Sequence, residues 1–343
     1  MLRRFSKLRV VCALAIIQLA IAGCNSDRNR DTSNLPSSKD GAEASSATVT
    51  IVDRLNRSTR FESTPQRIVS LSPATTELVF ALGAGELLVG STDYCDYPEQ
   101  AKSIPRVGSG PMGTVSIEAI VGKQPDLVLC KFDTHQPLVE SLERVNIAVV
   151  AVGPESLEEF FEEARWLGQA LQRNEQAEQL IQSMTARKEQ LATKSSANRK
   201  LRVFYQVWND PLMTAGKGSF INQLMELAGL ENIVYATIGR YPRLSPELVV
   251  ERDPEIIIVP SSPANPVNLE TIYSRPGWQG VSAVKNRRVH AVNSDIISRC
   301  GPRMLDVLEQ IIEAIQSNAG ESGTVSENSG TPTKDGTLSG GQP

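Results

Sequence analysis

The 343-residue chain has only two histidines, His135 and His290. A metal centre built on paired imidazoles is therefore disfavoured, and His290 falls inside a β-rich run. Cysteine is scarce as well. Cys12 and Cys24 lie in a distinctive N-terminal segment, leaving Cys95, Cys130 and Cys300, an odd number that cannot all pair with one another. That argues against a disulfide framework, although one bond is compatible with an oxidising compartment. Beyond the first 23 residues no stretch is long and apolar enough to span a bilayer. No Ser, His and acid set stands out for nucleophilic catalysis. The GKGS run at 216–219 lacks the spacing of a phosphate-binding loop and reads as the cap of the helix after it. Positive charge is in deficit, with a net charge of −4. An acidic balance argues against a nucleic-acid partner.

What is present begins with the N-terminus. MLRRFSKLR is basic and free of acids, VVCALAIIQLAIAG is apolar, and Cys24 follows. This is the pattern of a secretory signal whose apolar region is too short to span a membrane. Removing residues 1–23 takes away Arg3, Arg4, Lys7 and Arg9 and no acid, so the net charge falls from −4 to −8. Residues 24–47 are small and polar and read as a flexible tether. Residues 317–343 are of similar composition and are expected to form a structureless tail.

The folded body, about 48–316, alternates strand and helix. Short β-rich runs at 67–71, 87–91, 126–130 and 147–152 are separated by helical patterns, and the scheme recurs with strands at 201–207, 255–259 and 288–292. All-apolar strands in such alternation imply parallel sheets covered by helices on both faces. The expected architecture is α/β, with an N-terminal lobe over 48–155, a helical linker over 156–199 and a C-terminal lobe over 200–316. In the linker, Ser156 and Glu159 have the spacing of a capping box. Arg173 and Asn174 interrupt it, and a helix over about 175–193 would be about 30 Å long, a rod between the lobes.

The halves also share a sentence. SIEAIVGKQPDLVL at 116–129 and SPELVVERDPEIII at 245–258 align without a gap, keeping the Ser, a Glu two places on, a Val, the Pro and the acid after it. Each copy predicts a helix ended by its proline, followed by a buried strand.

These blocks, together with PQRIVSLSPATTELVFALGAGELLVGSTDYCDYPEQAKSIPRVG and W-x5-VKNRRVHAV, resemble the periplasmic binding proteins of iron-complex and cobalamin importers over about 65–315. Ile-Ala-Gly-Cys similarly resembles the acylation motif of bacterial lipoproteins, with Cys24 as the lipid-bearing residue holding the chain on a membrane. The resemblance implies two Rossmann-like lobes joined by one long rigid helix, in a monomer that performs no chemistry. A ligand would sit between the lobes, and the protein would deliver it to the permease dimer of an ABC importer with its ATPase. Glu118 and Glu247 match the positions at which such proteins meet arginines of the two permease subunits. Each Glu also suits the first turn of its own helix.

Ligands of open α/β sheets lie against loops at strand C-termini. Those loops here offer Ser72, Tyr94, Phe132, Trp208, Tyr241, Asp295 and Arg299. Four of the seven are aromatic in a chain only 5% aromatic, which suits a flat macrocycle. The resemblance is nearest to cobalamin binders and places Tyr94, Tyr241, Asp295 and Arg299 at pocket positions. It departs at 108–113, which lacks an aromatic expected there, and at Lys131-Phe132, which replaces a Trp-containing pair, so haem or a ferric siderophore is the alternative ligand. Arg299 could bond the ligand or pair with Asp295. Trp278 is expected to open a helix and to serve packing. A different class, a metal-dependent enzyme using Asp93, Cys95 and Asp96, is the remaining rival.

Overall fold

The computed structural model describes residues 48–109, 115–195, 199–234 and 239–317. Cys24, the tether, residues 110–113 of the aromatic-poor loop and the tail from 318 lie outside them. An antiparallel ribbon, β1 (Val49–Val52) and β2 (Ser58–Phe61), leads into the first lobe. There β3 (Ile68–Ser70), α1 (Pro73–Ala81), β4 (Leu88–Ser91), α2 (Ile117–Gly122), β5 (Leu127–Lys131), α3 (Gln136–Glu143) and β6 (Ala148–Val152) build a parallel sheet in the order β4-β3-β5-β6. Two helices, α4 (Leu157–Ala170) and α5 (Asn174–Lys194), lead to the second lobe. It contains β7 (Leu201–Trp208), β8 (Met213–Thr214), α6 (Phe220–Leu227), β9 (Leu230–Asn232), α7 (Pro246–Arg252) and β10 (Ile256–Ser261). After the short α8 (Glu270–Tyr273) and α9 (Ser282–Lys285) come β11 (Val289–Asn293), α10 (Ser294–Ile297) and α11 (Met304–Ser317). Strands β11, β10, β7 and β9 run parallel, and β8 pairs antiparallel with the end of β7. The fold is α/β with parallel sheets, as the alternation predicts.

The repeated sentence has a repeated job. Ser116 Oγ accepts the Ala119 N–H at 3.1 Å and Ser245 Oγ the Leu248 N–H at 3.3 Å, each capping its helix. After each proline the acid reaches the start of the neighbouring strand. Asp126 accepts the N–H groups of Gln66 and Arg67 at 2.7 and 3.0 Å, and Glu255 accepts that of Arg202 at 3.1 Å. Arg67 then donates back to the carbonyls of Lys123 and Gln124, and Arg202 to that of Asp253. The last carbonyls of both helices are thereby satisfied by one device used twice.

Strand residues alternate between two environments. Ile68, Leu127, Leu129, Val150 and Val152 of the first sheet face inward, as do Val203, Tyr205, Ile256, Ile258 and Val292 of the second. Both sets join one continuous apolar cluster with α1, α4, α5, α6, α10 and α11. The opposite faces have separate clusters, Val69, Val128, Val149 and Ala151 in one lobe, Phe204, Ile257, Val259 and Val289 in the other. The two lobes and the long connecting helix of the expected architecture are present, with a packing feature that the sequence pattern did not reveal. The long α5 is present, but it lies within a helical layer that both sheets share. Arg173 at its start donates to Gly83 O and Glu86 in the first lobe, while Arg187 nearer its end pairs with Asp306 and Glu309 of α11.

Local details follow from side-chain chemistry. Ser156 caps α4 by accepting the Glu159 N–H at 3.1 Å, but the Glu159 carboxylate turns back to Glu155 N rather than to Ser156 N, so the capping box is shifted by one residue. The chain reverses between α4 and α5 at Gln172, with φ of 53°. A Cβ on Gly168 would lie 2.7 Å from that of Ala177, so only glycine permits this approach of the two helices. Trp278 lies in the turn before α9 rather than opening a helix. It is fully buried, edge-on to Phe204 at 5.9 Å, with Arg275 over its face at 4.2 Å.

Two of the three buried acids among the described residues bond to residues of the cleft. Glu77 of α1, 4% exposed, receives Arg303 through two hydrogen bonds of 2.6 and 2.9 Å and Arg299 at 3.2 Å, joining the lobes with charge. Glu163 of α4, 1% exposed, accepts from Gly153 N at 2.9 Å and Thr75 Oγ1 at 3.2 Å. Burial pushes its carboxyl up from 4.5 to about 7. Between those two values the unfolded chain releases a proton that the folded chain keeps, so stability falls as pH rises, by ~3 kcal/mol once both are passed. Glu163→Gln is expected to flatten the urea-unfolding free energy between pH 5 and 8 and to exceed the wild type in stability at pH 8. Parallel pH profiles for the two proteins would contradict this.

Candidate functional site

In a parallel sheet all strand C-termini lie on one side. Here the ends of β3, β4, β5 and β6 meet the end of β11 from the other lobe around an open cavity of about 360 Å³. The first lobe contributes Leu71, Ser72, Pro73 and Ala74 after β3, Tyr94 after β4, Lys131 and His135 around the end of β5, and Gly153-Pro154 after β6. The second contributes Ser294, Asp295, Ser298, Arg299 and Cys300, in and just after α10. The slot lies over the shared core, so the lobes are joined below and open above.

Four of the seven sequence-predicted ligand residues border this cavity: Ser72, Tyr94, Asp295 and Arg299. Ser72 is buried, and its Oγ caps α1 by accepting the Thr75 N–H at 3.4 Å and the Thr75 hydroxyl at 3.1 Å. Tyr94 is 53% exposed and borders the opening. Asp295 is exposed in the first turn of α10, with no ion pair among the described residues.

Arg299 does not pair with Asp295. It donates to Glu77 at 3.2 Å, to Asp96 at 2.9 Å and to the carbonyl of Tyr94 at 3.1 Å, all from the other lobe. Arg303 joins it on Glu77 and stacks over Tyr97 at 3.7 Å. Arg299 thus holds the floor of the cleft together while bordering it.

Phe132, Trp208 and Tyr241 do not line the cavity. Phe132 is half-buried against the outer cluster of the first sheet, with its ring near Gly153. Trp208 is 60% exposed at the end of β7, its Nε1–H donating to Asp210 O at 2.8 Å. Tyr241 lies at the cleft rim near Glu155, where burial and that carboxylate push its hydroxyl up to about 12. The phenol is therefore neutral at physiological pH. Beside it Arg240 of the second lobe pairs with Glu155.

Sequence reasoning missed Lys131, Gly153 and Cys300 as cavity residues, although the same strand-end rule points to them. Lys131 pairs with Asp133 at 2.7 Å. Gly153 adopts φ of 118°, and a Cβ there would lie 3.2 Å from Lys131, so glycine keeps this wall thin. Burial, reinforced by Glu163, raises the Cys300 thiol well above its ordinary value, so it remains protonated and is a poor metal ligand as it stands.

The acids and thiol of the TDYCDY segment are turned to separate partners. Asp93 accepts from Ser109, Cys95 contacts Thr92 Oγ1 and Asp96 pairs with Arg299. Among the described residues no group of three His, Cys, Asp or Glu is arranged to hold a metal.

Glu118 and Glu247 occupy the same place in the two halves, the second residue of a Ser-capped helix, and both are exposed. Hydrogen bonds from its own backbone and from Ser116 hold the Glu118 carboxyl below its usual range. Neither acid has an ion pair among the described residues.

Similarity to known proteins shows the family of the chain. The profile of the periplasmic binding protein family matches residues 68–296. The uncharacterised ABC transporter substrate-binding lipoprotein YvrC of Bacillus subtilis (strain 168) is 29% identical over 311 residues, covering 88% of this chain and 95% of its own. The vitamin B12-binding protein of Pectobacterium carotovorum subsp. carotovorum (strain PC1) is 32% identical over 251 residues, 72% of this chain and 87% of that relative. Among solved structures, the periplasmic vitamin B12 binding protein BtuF of Vibrio cholerae matches with a TM-score of 0.64 at 27% identity, over 75% of this chain and 99% of that one. The periplasmic heme-binding protein RhuT from Roseiflexus sp. RS-1 matches with a TM-score of 0.65 at 25% identity, over 75% and 100%. This chain belongs to the periplasmic binding protein family, whose members bind solutes for ABC transporters and are not enzymes.

Proposed function

We propose that this protein captures a corrinoid of the cobalamin type in the cleft between its lobes and delivers it to the permease of an ABC importer. The observation that carries the reading is the slot itself, built from strand ends of both lobes over a joined floor. Tyr94 offers a half-exposed ring on one wall, Asp295 and the serines of α10 offer polar contacts on the other, and Trp208 and Tyr241 supply exposed aromatic surface beyond the cavity. Rigid rings above and below a flat ligand give apolar contact at little entropic cost, and a few polar groups set its orientation. Similarity to vitamin B12-binding proteins supports this choice of ligand. Haem is the second reading, favoured by the phenol of Tyr94 at the cavity wall and by the likeness to a haem-binding structure. Phe132 is assigned to shaping the wall at Gly153 rather than to direct contact.

Delivery rests on Glu118 and Glu247. Like charges at equivalent sites of two similar lobes fit a partner made of two similar subunits, and exposed charges of this kind set approach rate and register. The site of action is the periplasm or the cell surface, with Cys24 as the lipid-bearing anchor. The likeness to a lipoprotein supports that assignment, and acyl chains contribute ~0.8 kcal/mol per buried methylene.

Size-exclusion chromatography of the detergent-extracted protein with cyanocobalamin, haem or a ferric siderophore should show cyanocobalamin co-eluting at one to one. Co-elution of haem alone would replace the ligand, and co-elution of none would remove the reading. Reversing both docking charges, Glu118→Arg with Glu247→Arg, is expected to leave ligand binding intact while abolishing stimulation of the importer's ATPase. Undiminished stimulation would exclude these two acids as the docking points. Cys24→Ala should move the protein from the membrane fraction to the soluble one, whereas continued membrane retention would rule out this anchor.

A further inference from the structure

One buried side-chain nitrogen at the cleft has no partner among the described residues. His135 stands at the start of α3, is 5% exposed and borders the cavity beside Lys131. The backbone N–H of Lys131 donates to its Nδ1 at 3.1 Å. A ring nitrogen that accepts a hydrogen bond carries no proton, so the proton of the neutral imidazole is on Nε2. Burial, helped by the charge of Lys131, lowers the pKa of the ring and keeps it neutral at pH 7. The Nε2–H is buried and meets no acceptor among the described residues. A buried donor without an acceptor is costly, and native structures rarely keep one without a reason.

We propose that His135 reads the ligand as a hydrogen-bond donor, its Nε2–H meeting an amide carbonyl oxygen on the periphery of the bound corrin, and that it does not coordinate the central metal ion. This rests on the reading of the cleft as a corrinoid site. The exclusion of metal ligation has its own physical basis. Nε2 could offer a lone pair only if the proton moved to Nδ1. That would set two donors face to face at 3.1 Å and break the bond that holds the ring to the end of β5. The tautomer is therefore selected by the backbone of Lys131, before any ligand arrives.

Long-range ¹H–¹⁵N spectra of the ligand-free full chain in detergent should show the Nε2–H tautomer at pH 7, with its proton moving downfield when cyanocobalamin is added. His135→Phe should weaken cyanocobalamin binding about tenfold or more, and His135→Gln, which retains an N–H donor, should recover most of that loss. With aquocobalamin the visible spectrum of the complex should be the same for the wild type and His135→Gln. An Nδ1–H tautomer, unaltered affinity in both variants, or an aquocobalamin spectrum that changes in His135→Gln would each overturn the inference. If the wild type binds haem and not cyanocobalamin, the corrinoid reading fails separately. Weaker haem binding in His135→Phe with an unchanged Soret band would then support donation, to a propionate oxygen, and a shifted Soret band would reject it.

Discussion

The constraint on which this structure depends is that two parallel sheets share one buried helical layer. The inward faces of both sheets, six helices and the side chains between them form a single apolar body. Separating the lobes would expose that body to water at about 25 cal/mol for every Å² of apolar surface. The pairing of Glu77 with Arg299 and Arg303 adds an electrostatic condition at its upper edge. Once buried, such a group cannot lose one member cheaply, because the remaining charges would be left desolvated. The relative position of the lobes is thus specified by packing and by charge together.

That arrangement fits the work of a binding cleft. A site pre-formed between fixed walls has less ordering to do when its ligand arrives, and more of the contact energy remains as affinity. The floor and the slot are coupled through a few residues. Arg299 borders the cavity while holding Glu77, Asp96 and the carbonyl of Tyr94. Gly153 borders it while donating to Glu163. Cavity shape and the bonding of the floor beneath it are therefore set by the same residues.

Much of this was legible in the sequence, for identifiable reasons. Apolar runs followed by prolines and Ser caps marked seven of the strands and the helices α1, α2, α4 to α7 and α11 to within a few residues, because those signals are local, whereas the β1–β2 ribbon, β8, β9 and α3 went unread. The break near Arg173 and the rod after it were readable from spacing alone. The shared layer was not, since a helix face buried by one lobe and a face buried by two have the same apolar periodicity. Glu77 and Glu163 gave a fainter signal, acids set on otherwise apolar faces, and their partners are distant in sequence. The strand-end rule found Ser72, Tyr94, Asp295 and Arg299 at the cavity. It could not tell that the Arg299 side chain is turned to the floor, or that Phe132 faces the outer cluster. His135 was visible as a residue, but its tautomer depends on a backbone N–H that only the fold brings within reach.

The Ser-capped helix that opens each repeat has a geometric consequence. Its acid stands at the same step in both halves, and both halves are bolted to one interior. The span from Glu118 to Glu247 is therefore a calibrated length, set by the helical layer beneath. Any body that grips both carboxylates at once works as a caliper across the molecule, and it would register a guest in the slot only as a small change in jaw width.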